Sequence, residues 1–377
     1  MIYFDFAATT PLDKDAAEVY LKVATEYFGN ASSLHDIGGQ SSALLDNCRE
    51  ELAQILGVDK KGLFFTSGAT EGNFLALEAL LSAPLKKGNH IIAGMAEHSS
   101  IHGELRRLEK AGYEITLLPF DDSGLIDIEK LANEIKPETI LVAVQHVNSE
   151  IGTIQPVKTI AGICKAHQIH FHSDCVQSFG KMDLKSITPL VSSISFSGHK
   201  IYGPKGIGGV YINPRIHWDP FFPGGSHESG FRPGTVNVPA IVAMTVAAQK
   251  IIGQTSSNQD TFALLRNTFI EALTPIKDRV VVYGTDDAEW QLPNIIGLRI
   301  SGIEGQWMML ECNRLGFAIS TGSACQIGMQ SPAKVTQALR LSTEEEKQFI
   351  RISFGKSTTV EEVLRLAESI VKIVQEF

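Results

Sequence analysis

Between about residues 60 and 212, short β-rich runs alternate with stretches that carry apolar residues at helical spacing, and this alternation restricts the fold more than any other feature. The runs are LFF (63–65), HIIAGM (90–95), EITLLP (114–119), ILVAVQ (140–145), IHFHSD (169–174) and SISFS (193–197). Between them, segments such as 71–81 and 126–135 repeat apolar side chains with the period of a half-buried helix. Strands separated by helices pair in parallel, because each return to the sheet is a crossover. The expectation is an α/β fold with a mainly parallel central sheet and helices on its faces. In such sheets ligands collect beyond the carboxyl ends of the strands, so the residues that follow each run are the first candidates for function.

From about residue 261 the pattern changes to longer helices with fewer, shorter strands, including 294–300 and a terminal amphipathic helix near 360–377. This reads as a smaller α+β domain, and GQTSSNQD (253–260) reads as a surface turn between helices. With 377 residues, 44% of them hydrophobic, the chain can bury a sizeable core and divide into a large and a small domain. Its 33 basic and 42 acidic residues leave a net charge of −9, which disfavours nucleic acid and anionic membranes as partners. MIYFDFAATTP shows no charged and apolar leader, and no apolar run reaches the roughly 18 residues needed to cross a bilayer, so a cytoplasmic location is expected. Cys48, Cys164, Cys175, Cys312 and Cys325 form no C-x-x-C pair, which points to free thiols. The 11 histidines show no ligand cluster, and no metal is expected.

SFSGHKIYGPKGIGG (195–209) sets Lys200 just past an apolar run, in a turn rich in glycine and hydroxyls. A partly desolvated lysine amine condenses with a carbonyl, and pyridoxal phosphate (PLP) is the commonest partner. A solvated surface lysine is the plain alternative. A Ser-x-x-Lys reading of Ser197 and Lys200 lacks the companion Ser-Asp-Asn and Lys-Thr-Gly elements, and a phosphate-loop reading puts Pro204 where the lysine is required. TSGATEGN (66–73) leads from a strand through small residues into a helix whose first amides suit a phosphate, although Ser and Thr there also serve as ordinary caps. Asp174 in HSDCVQ (172–177) would keep a pyridine nitrogen protonated if buried, or would cap the following turn. His98 in AEHSSI (96–101) follows another run and reads as a site histidine or a polar loop residue. Cys325 stands among small and turn-forming residues in ISTGSACQIGMQSP, whereas Cys48 shares a helical pattern with Leu44, Leu45 and Leu52 and reads as core. An ordinary thiol is only a few per cent thiolate at neutral pH, so Cys325 needs activation by the substrate complex or a neighbouring base.

Taken in order, YFDFAATTP, FGNASSLHDIG, TSGATEGN, EHSSI, VNSEIGTIQP, HSDCVQS, SFSGHKIYGPKGIG, RPGT and STGSAC resemble the cysteine desulfurases of the NifS/IscS type over nearly the whole chain. The resemblance implies the aspartate aminotransferase-like fold (fold type I of PLP enzymes) and a homodimer with active sites at its interface. It implies that residues 1–15 belong to the small domain, 16–255 form the large PLP-binding domain, and 256–377 form the small domain carrying the cysteine loop. By the same resemblance Lys200 condenses with PLP, Asp174 pairs with the ring nitrogen, Gln177 bonds the ring oxygen, and His98 stacks on the ring and assists proton transfer. Ala69, Thr70, Ser197 and His199 would hold the phosphate, joined by Thr235 of the partner subunit. Arg351, in FIRISFGK, would take the substrate carboxylate, a two-oxygen contact suited to a planar guanidinium.

The implied reaction turns L-cysteine into L-alanine and leaves a persulfide on Cys325. Thiol exchange then passes the sulfur to an acceptor protein: an iron-sulfur scaffold, a target enzyme or a thiolation protein. STGSACQIG resembles the long-loop group of the family. Ser149 stands where the family usually has asparagine, which leaves one cofactor contact either altered or mediated by water, and Phe74, Cys175, Ser229 and Lys356 are further departures. Rival readings on the same fold are a selenocysteine lyase or another PLP-dependent lyase, and a non-catalytic sulfur-relay protein.

Overall fold

A computed structural model describes residues 1–321 and 334–377. In chain order the strands are β1 (Ile2–Tyr3), β2 (Leu63–Thr66), β3 (His90–Gly94), β4 (Glu114–Leu118), β5 (Thr139–Ala143), β6 (His170–Asp174), β7 (Ser193–Ser197), β8 (Gly208–Ile212), β9 (Val280–Tyr283), β10 (Ile295–Ile300), β11 (Phe317–Ala318) and β12 (Phe349–Ser353). The central sheet runs β2-β8-β7-β6-β5-β3-β4. Strands β7, β6, β5, β3 and β4 pair in parallel, and β8 is antiparallel to both neighbours, β2 and β7. Strand β2 therefore points the same way as the parallel set. The carboxyl ends of β2, β3, β5, β6 and β7 and the amino end of β8 all meet at one edge.

Each run read as a strand from the sequence lies in this sheet. Strand β8 was not among them, because its leading Gly208 and Gly209 carry no β propensity. A Cβ on Gly208 would stand 2.6 Å from the Phe196 carbonyl oxygen and 2.9 Å from the Cα of Gly68, so close backbone approach decides the residue there. Every residue of β3, β5, β6, β7 and β8 is buried, as expected of strands covered on both faces.

Two apolar clusters lie on either side of the site. The larger gathers around Phe65, Ile92, Val142, Phe171, Ile194 and Phe196. The second joins Phe269, Ile296, Leu298, Ile350 and Ile352 to the terminal helix Val360–Glu376, over the antiparallel sheet β9-β10-β12. That helix buries Val363, Leu366, Ala367, Ile370, Ile373 and Val374, a stripe at three- and four-residue spacing, and Thr359 with Glu362 closes its start as a capping box. The first residues of the chain thread between the clusters: Phe4 sits in the second, Phe6 in the first, and β1 pairs with β11.

The stretch 253–260 is not a surface turn. Only Gly253 and Gln254 separate the helix Val238–Ile252 from the helix Thr255–Ala272. The hydroxyls that read as a loop bond back onto the helix, Ser257 Oγ donating to the Gln254 carbonyl at 3.0 Å and Thr261 Oγ1 to the Ser257 carbonyl at 2.9 Å. Among the described residues no helix is long and apolar enough to cross a membrane, and no group of His, Cys, Asp and Glu is placed to hold a metal ion.

Candidate active site

A cavity of about 580 Å³ opens where the strand ends meet. Strand β7 ends at Ser197 and passes into the single turn Gly198–Lys200, which carries the lysine to the cavity wall. The turn is closed by Gly203 N–H donating to the Gly198 carbonyl at 2.9 Å. It is clamped by the N-terminal segment, since both the backbone and the hydroxyl of Thr10 donate to the His199 carbonyl at 2.9 Å. Lys200 Nζ donates to the Ala8 carbonyl at 2.8 Å and to the carbonyl of Ala7. Close by, Lys181 Nζ donates to Gln177 Oε1 at 2.8 Å, which turns Gln177 Nε2 to donate to the same Ala7 carbonyl at 2.9 Å. Burial, and then the charges of Lys200 and Arg351, push the Lys181 amine down to about 7.

Asp174 closes β6 and is buried at the cavity wall. Its Oδ1 accepts from the Val176 N–H at 2.9 Å, so the turn-capping bond is made. Its Oδ2 accepts from Asn73 Nδ2 at 2.8 Å, which fixes the carboxylate plane. His98, the N-cap of the helix Ser99–Lys110, also lines the cavity and is accessible through it. The surrounding walls still displace enough water to lower its pKa; Asp174 opposes that shift and Lys200 adds to it. His199 is held at about 4 by burial and by Lys200, so it is neutral at physiological pH, with Nδ1 in a 3.1 Å hydrogen bond to Thr9 Oγ1.

After β2 the chain turns at Gly68, whose φ of +153° favours glycine, and enters the helix Ala69–Ser82. No side chain caps this helix, and a Cβ at Gly68 would meet nothing within 4 Å. The amides of this helix start, lining the cavity with Ser197 and His199, suit an anion. On β12, Arg351 donates from one Nη to the Ser149 carbonyl at 2.9 Å and from the other to Asp5 Oδ1 at 2.6 Å. Its buried Nε has no partner among the described residues. Glu150 is pushed up to about 7 by burial and accepts from the Val335 N–H at 3.0 Å.

Of the residues named from the sequence, Ala69, Thr70, His98, Ser149, Asp174, Gln177, Ser197, His199, Lys200 and Arg351 all line this one cavity. Thr235 is exposed and does not line it. Cys325 lies outside the described residues. Cys175 is fully buried and its thiol is pushed up to about 12 by burial and then by Asp174, so it is no nucleophile at neutral pH. Sequence reasoning passed over Asn73, Ser100 and Lys181. For Asn73 the available signal was its place one helical turn after Ala69, on the same face.

These groups fit PLP: a buried carboxylate suits a protonated pyridine nitrogen, an uncapped helix start suits a phosphate, and a lysine amine lines the same cavity. The model of the class-V aminotransferase family matches residues 2–366, and the chain belongs to that family of PLP enzymes. It is similar to a putative cysteine desulfurase NifS of Bacillus subtilis, 45% identical over 97% of this chain and 93% of that one. A cysteine desulfurase IscS of Neisseria meningitidis is 37% identical over 98% and 91% of the two chains. Among solved structures, a NifS-like protein covers 100% of both chains with a TM-score of 0.91 and 30% identity. Another, SspA in complex with cysteine, covers 94% of this chain and 99% of its own with a TM-score of 0.79 and 31% identity.

Proposed function

We propose that the chain is a PLP-dependent cysteine desulfurase that converts L-cysteine to L-alanine and receives the sulfur as a persulfide on Cys325. The observation that carries this reading is the convergence of Lys200, the buried Asp174 and Arg351 on one cavity. PLP, when bound, supplies an electron sink that stabilises loss of the substrate α-proton. Lys200 would join it covalently, and once displaced its amine would hold and return that proton at Nζ. Asp174, fixed by Asn73 and Val176, would keep the ring nitrogen protonated. Gln177, oriented by Lys181, would meet the ring oxygen, and His98 would stack on the ring and hydrogen-bond the reacting groups. The helix start at Ala69 and Thr70, with Ser197 and His199, would take the phosphate, and Ser149 would line the ring pocket where the family carries asparagine.

Arg351 would hold the substrate carboxylate, its guanidinium already anchored by Ser149 and Asp5. Cys325 as thiolate would attack the substrate sulfur. An S–S bond forms, the C–S bond breaks, and its electron pair stays with carbon, which takes a proton and leaves as alanine. The working form in this reading is a homodimer: Thr235, exposed on its own chain, would reach the phosphate of the other site. Division into 1–15 with 256–377 as small domain and 16–255 as large domain, a cytoplasmic location, and delivery to an iron-sulfur scaffold, target enzyme or thiolation protein complete the proposal.

The test is mass analysis of the PLP-loaded protein after incubation with L-cysteine. The reading requires one added sulfur on the peptide containing Cys325 and an equal amount of alanine. Sulfide release that survives Cys325→Ser would refute the persulfide route and favour another PLP-dependent lyase.

A further inference from the structure

A chain of hydrogen bonds joins two side chains that line the cavity, Asp174 and His98. Asn73, fully buried, directs one Nδ2 hydrogen to Asp174 Oδ2 at 2.8 Å and the other to Ser100 Oγ at 2.9 Å. Its orientation is not free: the carboxylate can only accept, and on the far side Asn73 Oδ1 accepts from His172 Nε2 at 3.1 Å and from the hydroxyl of Ser195. With the Asn73 hydrogen entering Ser100 Oγ, the Ser100 hydroxyl proton is left to point at His98 Nδ1, 2.8 Å away. The backbone N–H of Ser100 donates to that same nitrogen at 3.2 Å. Two donors converge on Nδ1, so that nitrogen is an acceptor and the ring proton resides on Nε2.

We propose that Asn73 and Ser100 are positioning residues that lock His98 as the neutral Nε2–H tautomer and tie it to Asp174. This rests on the reading of the cavity as the PLP and cysteine site. His98 then meets the incoming substrate as a hydrogen-bond donor. Its cationic form is disfavoured, because a proton on Nδ1 would face the Ser100 N–H and force the Ser100 hydroxyl to turn away. Proton abstraction from substrate is left to the Lys200 amine once it is displaced, and His98 takes up a proton only after giving one.

The test uses holoenzyme labelled with ¹⁵N-histidine, the His98 ring signals being assigned by their loss in His98→Gln. The expected wild-type spectrum places Nδ1 at the unprotonated position and Nε2 at the protonated one. In Ser100→Ala the Nδ1 signal should move toward the protonated position and the ring should titrate at higher pH. The charged and titratable groups facing the ring, Asp174, Lys200, His102 and His199, are unchanged in that variant. Ser100→Thr, which keeps the hydroxyl, should restore both. Alanine formation should fall about 2- to 13-fold in kcat with KM unchanged in Ser100→Ala, the rate equivalent of one neutral hydrogen bond. A wild-type Nδ1 that carries the proton, or a Ser100→Ala spectrum identical to wild type, overturns the proposal. If His98→Gln keeps wild-type alanine formation, the functional reading of His98 falls, while the tautomer assignment is still decided by the shifts.

Discussion

Gly208→Ala places a methyl group where β8 crosses the turn that leads to the proposed phosphate site. The new Cβ would lie 2.6 Å from the Phe196 carbonyl oxygen and 2.9 Å from the Cα of Gly68. Carbon atoms rest at about 3.5–4.0 Å, so the deficit is roughly 0.5–1 Å, and both neighbours are backbone that cannot swing aside as a side chain does. Overpacking of this kind costs about 1–3 kcal/mol. If the strain is relieved by moving the Gly68 turn, PLP affinity should fall about 5- to 150-fold, because each 1.4 kcal/mol is tenfold. The assay is titration of the apoprotein with PLP, followed by absorbance, with thermal unfolding of both forms. Gly162→Ala is the control: its Cβ would meet nothing within 4 Å in the helix Val157–Ala166, and removing a helical glycine should stabilise by about 0.5–1 kcal/mol. A Gly208→Ala protein that matches wild type in both PLP affinity and thermal midpoint would refute the reasoning.

Two further outcomes follow from burial. Cys48, Cys164, Cys175 and Cys312 are buried, and burial raises each thiol, the last three to about 12. Iodoacetamide at neutral pH should therefore leave all four peptides unmodified until denaturant is added, and fast labelling of Cys175 in the native protein would contradict this. His102, His146, His172 and His199 are held at about 4, chiefly by burial. An unfolded histidine titrates near 6.5, so between about pH 6.5 and 4 the unfolded chain binds protons that the folded chain refuses, and stability falls with pH across that window. Glu78 and Glu150, raised to about 7, and Glu97, raised by burial, act in the opposite sense by protonating first in the folded state. The four histidines outnumber them. The thermal midpoint should drop as pH is lowered from 6.5 to 4, and a midpoint that holds or rises there would count against these burial effects.

The parallel sheet was legible because short β-rich runs, most of them buried along their whole length, alternate with stretches at helical spacing. The wall of the cavity was legible because a parallel sheet delivers its carboxyl ends to one edge, where Asp174 ends a strand and His98 and Lys200 each follow one. Strand β8 was hidden by glycines that answer to backbone proximity, which no local pattern encodes. The start of the helix Thr255–Ala272 was hidden because its hydroxyls are satisfied by the helix itself. Asn73 and Ser100 escaped notice for a different reason. Their importance lies in which partner each hydrogen reaches across the fold, and ordinary helix-surface residues have the same appearance in sequence.

The threading of the first residues between the two clusters has a consequence for biosynthesis. Ile2 lies opposite Phe317, Ala7 N–H donates to Ser353 Oγ at 2.9 Å, and Asp5 grips Arg351, so the earliest part of the chain is completed by some of its latest. A nascent chain can build the central sheet and present Lys200 long before residues 349–353 emerge. Until they do, the segment that clamps the lysine turn lacks half of its own support, and the proposed carboxylate clamp does not exist. Contacts of such long range also form slowly. If Arg351 holds the substrate carboxylate as proposed, an aborted translation product would have the lysine but not the group that seats cysteine beside it.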